Sequence, residues 1–376
     1  MFIRKALSLL ALLLLLACGQ GVPTATLTPT APSQTPLPTP TSTMLPTLEA
    51  TPVSSPTPVA TPTPPTTATP VLATPTVTRD QIQRGVSLSP RSFASSDFTD
   101  FFQKAREAGS LVSWAGDWQE LGNPTGGGPT VLAELASTYG YKPVIVAQFF
   151  TQSSGQLLRP MDVATRQSYR DSARAFVKRY KPRYLGFGIE VNMLYEKSPS
   201  DFDGFVELFA DVYRDVKSVS PTTQVFTVFQ LERMKGLRGG LFGGANEPGN
   251  THWNLLDRFP DSDIVAFTTY PDLIFKDPGD IPPDYYSEIK AHTAKGTAFI
   301  EVGWHTAANP AGWESSETEQ GRFVKAFFGL TRDLDPEIVI WSFLYDQNAI
   351  EPFRSMGLLR SDGSARPAWE EWTRSQ

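Results

Sequence analysis

The stretch that decides the fold is residues 183–192, which read Arg-Tyr-Leu-Gly-Phe-Gly-Ile-Glu-Val-Asn. Its large apolar side chains, interrupted by glycines, indicate a short strand of a parallel sheet that is buried on both faces. A carboxylate at the end of such a strand is expensive to bury unless it has a partner or a task. Residues 298–304, Ala-Phe-Ile-Glu-Val-Gly-Trp, repeat the design. Two buried strands that end in Glu190 and Glu301 are therefore the features to explain.

Six further runs of apolar, β-branched or aromatic residues accompany these two, and helical patterns lie between most of them. The runs are residues 85–88, 111–114, 143–149, 224–229, 263–270 and 337–343. Eight strands alternating with helices predict the α/β class and a single (β/α)8 TIM barrel over residues 80–376. The competing fold is a doubly wound open sheet, which normally carries a glycine-rich phosphate turn after an early strand. The glycines at 126–128 have no such frame, so we expect no nucleotide cofactor.

The N-terminus has the pattern of an export signal. Arg4 and Lys5 precede an apolar run at residues 6–16, which is too short for a membrane span. Residues 15–18, Leu-Leu-Ala-Cys, resemble a bacterial lipobox, in which the cysteine is lipidated and becomes the mature N-terminus. We therefore expect residues 1–18 to be a lipoprotein signal peptide with lipidation at Cys18. An ordinary signal peptide with a chance cysteine is the alternative.

Residues 19–79 consist mostly of Pro, Thr, Ser and Ala, and Glu49 is the only charged residue before Arg79. Such a composition has too little apolar surface to fold, so we expect a disordered, extended linker. The predicted organisation is a signal peptide, this linker and the barrel at residues 80–376. The protein would be exported and held at the extracellular face of the cell membrane by its lipid anchor alone.

The overall composition argues against several partners. The 376 residues carry a net charge of −6 and no cluster of basic residues, which disfavours nucleic acid. The three histidines lack metal-ligand spacing, and no G-x-S-x-G element is present, so we expect no metal and no serine nucleophile. We expect a monomer.

In a (β/α)8 barrel the functional site lies at the C-terminal ends of the strands. The residues at these ends combine carboxylates, amides and aromatic rings, a composition that suits a carbohydrate. Aromatic faces stack on sugar rings, while carboxylates and amides bind hydroxyl groups. The site residues predicted from these positions are Glu190, Glu301, Asn192, Gln148, Trp114, Tyr270, Trp304 and Trp341.

Several motifs together resemble the clan A glycoside hydrolases, a superfamily of retaining (β/α)8 enzymes. Residues 188–192, Gly-Ile-Glu-Val-Asn, are similar to the end of strand four, and residues 299–304, Phe-Ile-Glu-Val-Gly-Trp, to the end of strand seven. Residues 268–271, Thr-Thr-Tyr-Pro, resemble the strand-six motif. Trp341 matches a tryptophan of strand eight, and residues 357–369 are typical of how these barrels finish. The resemblance covers residues 80–376.

The resemblance implies a hydrolase for β-linked poly- or oligosaccharides, similar to endo-β-1,4-galactanases among other endo-β-glycanases. It implies that Glu190 is the acid/base, Glu301 the nucleophile, Tyr270 a contact of the nucleophile and Trp341 a sugar platform. The clan usually has asparagine before the acid/base, whereas this chain has Ile189. On a regular strand Asn192 would share a face with Glu190 and supply the missing amide.

Two other functions remain open at this stage. The first is a catalytically inactive barrel that binds carbohydrate through its aromatic rim. The second is a lipoprotein whose barrel is a scaffold for cell-surface contacts, which would have no pocket at the strand ends. Turnover of a glycan and its loss in a Glu301 variant would separate the hydrolase from both.

Overall fold

The computed structural model of the chain describes residues 82–308 and 310–374. The predicted signal peptide, Cys18 and the predicted linker lie outside the described residues. Within the described ranges, no helix combines the length and the apolar composition needed to cross a membrane. The described ranges lie within residues 80–376, the part of the chain for which a barrel is predicted.

The described residues form one parallel sheet that curls into a barrel. Its strands are β1 (Gln83–Ser87), β2 (Leu111–Asp117), β3 (Lys142–Gln148), β4 (Tyr184–Phe187), β5 (Gln224–Phe226), β6 (Val228–Gln230), β7 (Ile264–Thr269), β8 (Gly296–Val302) and β9 (Ile338–Trp341). The predicted (β/α)8 fold is confirmed.

Nine strands arise where eight were predicted because the fifth is divided at Thr227. The sheet order is β5-β4-β3-β2-β1-β9-β8-β7-β6, so β5 pairs with β4 and β6 pairs with β7. The chain itself bridges the remaining gap, since Val228 donates its amide proton to the carbonyl of Gly188 at 3.1 Å. The two short strands therefore close the barrel as one interrupted fifth strand.

Helices cover the outside of the barrel. They are α1 (Ser95–Ala108), α2 (Gly128–Tyr139), α3 (Val163–Tyr180), α4 (Val191–Lys197), α5 (Pro199–Val219), α6 (Leu231–Met234), α7 (Glu317–Leu330) and α8 (Pro367–Arg374). The connection from β7 to β8 contains only 3-10 turns, including Ser287–Ala291.

Alternation along the strands creates two apolar cores. Inside the barrel, Ile338 and Ile340 of β9 meet alternate residues of the other strands, such as Val144 and Val146. The intervening residues, such as Val339, point outward and pack beneath the helices. This alternation decides which side chains reach the mouth of the barrel.

Candidate active site

A cavity of about 580 Å³ opens at the C-terminal ends of the strands. Glu190 and Glu301 both line it, on opposite halves of the strand order. Five aromatic side chains also line it: Trp114, Phe242, Tyr270, Phe343 and Phe353. The cavity thus combines two carboxyl groups with apolar rings.

Glu190 lies on a tight turn, so the strand does not stay regular as far as Asn192. β4 ends at Phe187, and Gly188 and Glu190 follow with φ of 75° and 59°. Residues other than glycine adopt this left-handed backbone conformation only when the surrounding structure holds them there. The chain then enters α4 at Val191, so Asn192 does not share a strand face with Glu190.

Two buried amides hold this turn in place. Gln148 accepts a hydrogen bond from the Ile189 amide and donates one to the Ile189 carbonyl, each at 3.3 Å. Asn192 accepts from the Gln230 amide at 2.8 Å and donates to the Gln230 carbonyl at 3.0 Å. Each amide replaces a pair of strand hydrogen bonds, so Glu190 is fastened to β3 on one side and to β6 on the other. Neither Gln148 nor Asn192 lines the cavity, in contrast to the substrate contacts predicted for them.

A β-bulge directs Glu301 into the cavity. Ala298 and Ile300 of β8 point into the barrel, so regular alternation would send Glu301 outward. The pairing with β7 slips at this point: Phe267 pairs with Phe299, but Thr268 pairs with Glu301. The extra residue reverses the alternation and places Glu301 on the inner face.

Tyr270 connects the carboxyl group of Glu301 to the wall of the barrel. Its hydroxyl donates to Glu301 Oε2 at 2.7 Å and accepts from Ser342 Oγ at 3.0 Å. The ring packs against Gly303, where a Cβ atom would lie only 2.8 Å from it. The absence of a side chain at residue 303 therefore lets Tyr270 reach the carboxylate of Glu301. The contact between Tyr270 and Glu301 that the resemblance implies is present.

The two carboxyl groups have different electrostatic surroundings. Burial and the nearby charge of Glu301 raise the pKa of Glu190 to about 7, although a 2.7 Å hydrogen bond from Thr268 opposes the shift. Burial also raises the pKa of Glu301, but the hydrogen bond from Tyr270 lowers it. Glu190 is therefore mostly protonated below about pH 7, while the hydrogen bond from Tyr270 favours the ionised form of Glu301.

Two predicted tryptophans lie outside the barrel. Since Ile338 and Ile340 point inward, Trp341 points outward, where it packs against Phe323 and Trp372 and donates to the Met356 carbonyl. Trp304 is likewise fully buried and donates to Ser315 Oγ at 2.9 Å. Neither lines the cavity, in contrast to the sugar platform predicted for Trp341 and the substrate contact predicted for Trp304.

Trp114 does line the cavity, although only 2% of its surface is exposed. Its ring is held in a slot between Gly116 and Gly128, where added Cβ atoms would clash with it at 2.2 Å. Trp114 therefore presents a fixed apolar edge to the cavity.

A third acid, Glu232, lies behind the cavity and was not among the predicted site residues. It is fully buried, and Thr269, Tyr285 and the Tyr270 amide donate to its Oε1 at 2.7, 2.9 and 3.2 Å. Burial raises its pKa. Because it holds the backbone of Tyr270, Glu232 positions the tyrosine that contacts Glu301. The one feature of the sequence that could have identified Glu232 as part of the site is its position just after the fifth predicted strand.

Metal ligands are not grouped in the described ranges: no set of three or more His, Cys, Asp or Glu side chains there could hold an ion. His305, the histidine nearest to Glu301 in sequence, is buried and bonds Asp272 at 2.7 Å. It has a structural partner on each ring nitrogen, since Nε2 also meets the Trp313 carbonyl at 3.0 Å.

Searches for related sequences matched neither a family model nor a curated protein. The fold itself has many relatives among solved structures. One is a family 39 glycoside hydrolase from the gut symbiont Bacteroides cellulosilyticus WH2, with a TM-score of 0.54 and 18% identity. That alignment covers 78% of this chain and 63% of the other.

Two further solved structures align with this chain to a similar extent. An exo-β-1,4-mannosidase from Opitutaceae bacterium strain TAV5 aligns with a TM-score of 0.58 and 15% identity, over 78% of this chain and 59% of that chain. Xylanase 10B from Thermotoga maritima aligns with a TM-score of 0.55 and 12% identity, over 78% and 94%. The chain thus spans about three fifths of the length of the first two. At these identities the likeness establishes the barrel fold.

Proposed function

We propose that this chain is a retaining glycoside hydrolase that cleaves β-linked poly- or oligosaccharides. The observation that carries the proposal is the pair Glu190 and Glu301 in one cavity, the first with a pKa near 7 and the second bonded by Tyr270. Glycoside hydrolysis needs one protonated and one ionised carboxyl group at the scissile bond. The fold relatives, which include glycoside hydrolases, are consistent with this chemistry.

The reaction has two steps. Glu301 attacks the anomeric carbon, and the bond to the leaving oxygen breaks as Glu190 transfers its proton to that oxygen. Glu190, now ionised, takes a proton from water, whose oxygen attacks the anomeric carbon and releases Glu301. This proton transfer leaves Glu190 protonated and Glu301 ionised again, so the enzyme is regenerated.

The walls of the cavity support a carbohydrate substrate. Trp114, Phe242, Phe343 and Phe353 offer apolar surfaces to the C–H faces of sugar rings. The cavity volume of about 580 Å³ lies in the range of ligand pockets, and the cavity can hold a few sugar units. β-1,4-Galactan and other β-glycans are therefore the first substrates to test.

The test is a panel of polysaccharides and aryl β-glycosides, assayed for release of reducing ends or phenol by the full-length protein. We expect Glu301→Gln to reduce turnover by about 10³-fold or more, because the nucleophile is lost. Glu190→Gln should slow substrates with poor leaving groups far more than activated aryl glycosides, which leave without a proton.

The matched control is Glu207→Gln, an exposed glutamate on α5, which should leave all rates unchanged. Binding of a glycan without cleavage of any panel member would instead favour the inactive carbohydrate-binding barrel. Undiminished turnover in Glu301→Gln would reject the assigned nucleophile.

We further propose that Cys18 carries the lipid that anchors the protein to the extracellular face of the membrane. The support is the sequence at residues 15–18 and the apolar run before it. Labelling cells with a radioactive fatty acid should mark the wild-type protein and leave Cys18→Ser unlabelled. Labelling of Cys18→Ser, or an unlabelled wild type, would contradict the anchor.

A further inference from the structure

The cations that line the cavity lie on one side of it. Lys197 and Arg233 are the two lysine or arginine residues among the lining residues of the described chain, and both follow strands β4 to β6, beside Glu190. The side formed after β7 and β9 carries Leu273, Phe343 and other apolar groups of one cluster. Both cations of the lining therefore lie on the side of the cavity that carries Glu190.

Arg233 is held rigidly at this wall. One terminal nitrogen donates to Glu196 Oε2 at 2.6 Å, and the guanidinium lies 4.9 Å from the centre of the Phe242 ring. Its Nε is buried without a hydrogen-bond acceptor among the described residues. A guanidinium that is fixed in place and lines the cavity is suited to receive a planar anion, because its donors form a rigid fork.

The charge of Arg233 is not fully neutralised. The other carboxylate oxygen, Glu196 Oε1, accepts a hydrogen bond from Arg238 at 2.7 Å. Two guanidinium groups therefore share one carboxylate. His252 also approaches that oxygen, at 3.6 Å. The group formed by Glu196, Arg233 and Arg238 carries a net positive charge at the edge of the cavity.

The charge of Arg233 acts on Glu190 more than on Glu301. After burial, the charge of Glu301 and the bond from Thr268, Arg233 is the next influence on the pKa of Glu190, which it lowers. Arg233 is not among the influences on Glu301. Because Glu190 donates to the leaving oxygen, a group beside it on this side faces the leaving sugar.

Lys197 adds a second cation at the mouth of the cavity. It ends α4, the helix that begins directly after Glu190, and it is exposed. No carboxylate of the described residues forms an ion pair with it. Its stem passes Gly155, where a Cβ atom would lie 2.6 Å from the Cβ of Lys197. The ammonium group is therefore available to a ligand.

We propose that the wall formed by Arg233 and Lys197 binds the carboxylate of a uronic acid unit on the leaving-group side of Glu190. This rests on the proposed function, and it narrows the substrate from β-glycans in general to acidic ones. A neutral sugar would leave Lys197 without an anionic partner and would not neutralise the net positive charge of the group formed by Glu196, Arg233 and Arg238.

Matched pairs of β-1,4-linked tetrasaccharides test the proposal, since they differ only in the carboxylate at C6: mannan against mannuronan, and cellulose against β-1,4-glucuronan. Binding is measured by calorimetry to the full-length protein carrying Glu301→Gln, so that no turnover interferes. We expect at least one acidic tetrasaccharide to bind about tenfold or more tightly than its neutral partner. Added salt should narrow that difference.

Two variants show whether the cations cause the preference. Arg233→Gln and Lys197→Gln should each weaken binding of the acidic tetrasaccharide about fivefold or more and leave the neutral one unchanged. Arg233→Lys, which keeps the charge and loses the fork, should be intermediate. Lys197→Gln changes an exposed residue and therefore tests the proposal even if the Arg233 variants fold poorly. Lys178→Gln, at an exposed position of α3, is the control.

Several results would overturn the proposal. The first is that both acidic tetrasaccharides bind no more tightly than their neutral partners, and the second is that neither acidic tetrasaccharide binds measurably. The third is that the variants lose equal affinity for acidic and neutral tetrasaccharides, which would mean that Arg233 only holds Glu196. Tighter binding of a 6-sulfated cellotetraose than of the glucuronan would overturn the assignment to a carboxylate.

The outcome is separable from that of the proposed function. Cleavage of neutral glycans without any acidic preference would reject this inference and keep the hydrolase. Tighter binding of acidic tetrasaccharides without cleavage of any glycan by the wild type would keep this inference and reject the hydrolase.

Discussion

Glu190 and Glu301 differ in the side chains that bond them, and this difference assigns their proposed roles. Thr268 donates to Glu190, and Tyr270 donates to Glu301. Burial raises the pKa of both groups, but the charge of Glu301 adds to the rise at Glu190. The protonated acid and the ionised nucleophile thus follow from their neighbours.

The pH dependence of turnover follows from these assignments. Because Glu190 must be protonated and its pKa is about 7, we expect kcat/KM to fall as the pH rises above that value. Rates of Glu190→Gln on an activated aryl glycoside should lack this alkaline fall. An alkaline fall that stays at the same pH in the variant would contradict the assignment.

Removing the hydroxyl of Tyr270 should affect both rate and pH profile. Its hydrogen bond lowers the pKa of Glu301, so Tyr270→Phe should move the acidic limb of kcat/KM to higher pH. The lost donor should also reduce kcat by about 10- to 100-fold. Tyr213→Phe, which removes a hydroxyl bonded to Asp263 at 3.1 Å, is the control. A lower rate with an unmoved acidic limb would show that the tyrosine acts on something other than Glu301.

Burying Glu190 also makes stability depend on pH. Its pKa is 4.5 ordinarily and about 7 in the fold, so its stabilising effect is complete below about pH 4.5 and is lost as the pH rises through 7. Glu190→Gln should therefore gain stability over the wild type by about 3 kcal/mol on going from about pH 4.5 to about pH 8. Urea unfolding at the two pH values measures this gain, with Glu207→Gln as the control. A difference that does not change with pH would contradict the buried, protonated state.

Among the structural elements, the turn after β4 and the bulge in β8 place the two carboxyl groups. Gln148 and Asn192 hold the turn through backbone hydrogen bonds, and the slip at Ile300 turns Glu301 inward. Both devices are irregularities of strands that otherwise alternate.

The turn can be tested through Asn192. Asn192→Leu keeps the size of the side chain but leaves the buried amide and carbonyl of Gln230 without partners. We expect a loss of about 2–3 kcal/mol in the free energy of unfolding. The released Glu190 should lower kcat with little change in KM. Asn254→Leu, at an exposed position, should change neither. A loss of stability with an unchanged kcat would mean that the amide does not position Glu190.

These elements show why the sequence predicted the carboxyl groups but not their setting. The apolar runs and the glutamates that end two of them are visible in the sequence, so the strands and the pair Glu190 and Glu301 could be predicted. Apolar runs do not show where a bulge or a left-handed turn interrupts the strand, so the direction of the side chains could not be predicted. The same limit applies to Trp341, whose orientation depends on which β9 residues point inward.

At the scale of the whole molecule, closure of the barrel brings distant parts of the chain to one cavity. The broken fifth strand lets β5 pair with β4 while β6 pairs with β7, so Glu190, Arg233 and Tyr270 meet across the gap. Loops with little regular structure, including Gly240–Phe242, complete the wall. Their packing depends on the finished barrel, which explains why the sequence did not predict Phe242 or Arg233 as part of the site.

The predicted boundary near residue 80 belongs to this scale as well. If residues 19–79 form an extended linker, brief proteolysis of the full-length protein should yield a resistant fragment that begins close to residue 80. N-terminal sequencing of the fragment measures the boundary. Resistance of the chain before residue 79, or rapid cleavage throughout the barrel, would contradict the predicted organisation.

The central claim is that Glu190 and Glu301 hydrolyse a β-linked glycan with retention. The most direct measurement is a proton NMR time course of the anomeric signals while the full-length protein acts on the β-glycan panel. The account predicts that the first product from a cleaved glycan has the β configuration and that Glu301→Gln releases none. An α-configured first product, release by Glu301→Gln at the wild-type rate, or no release from any glycan would contradict it.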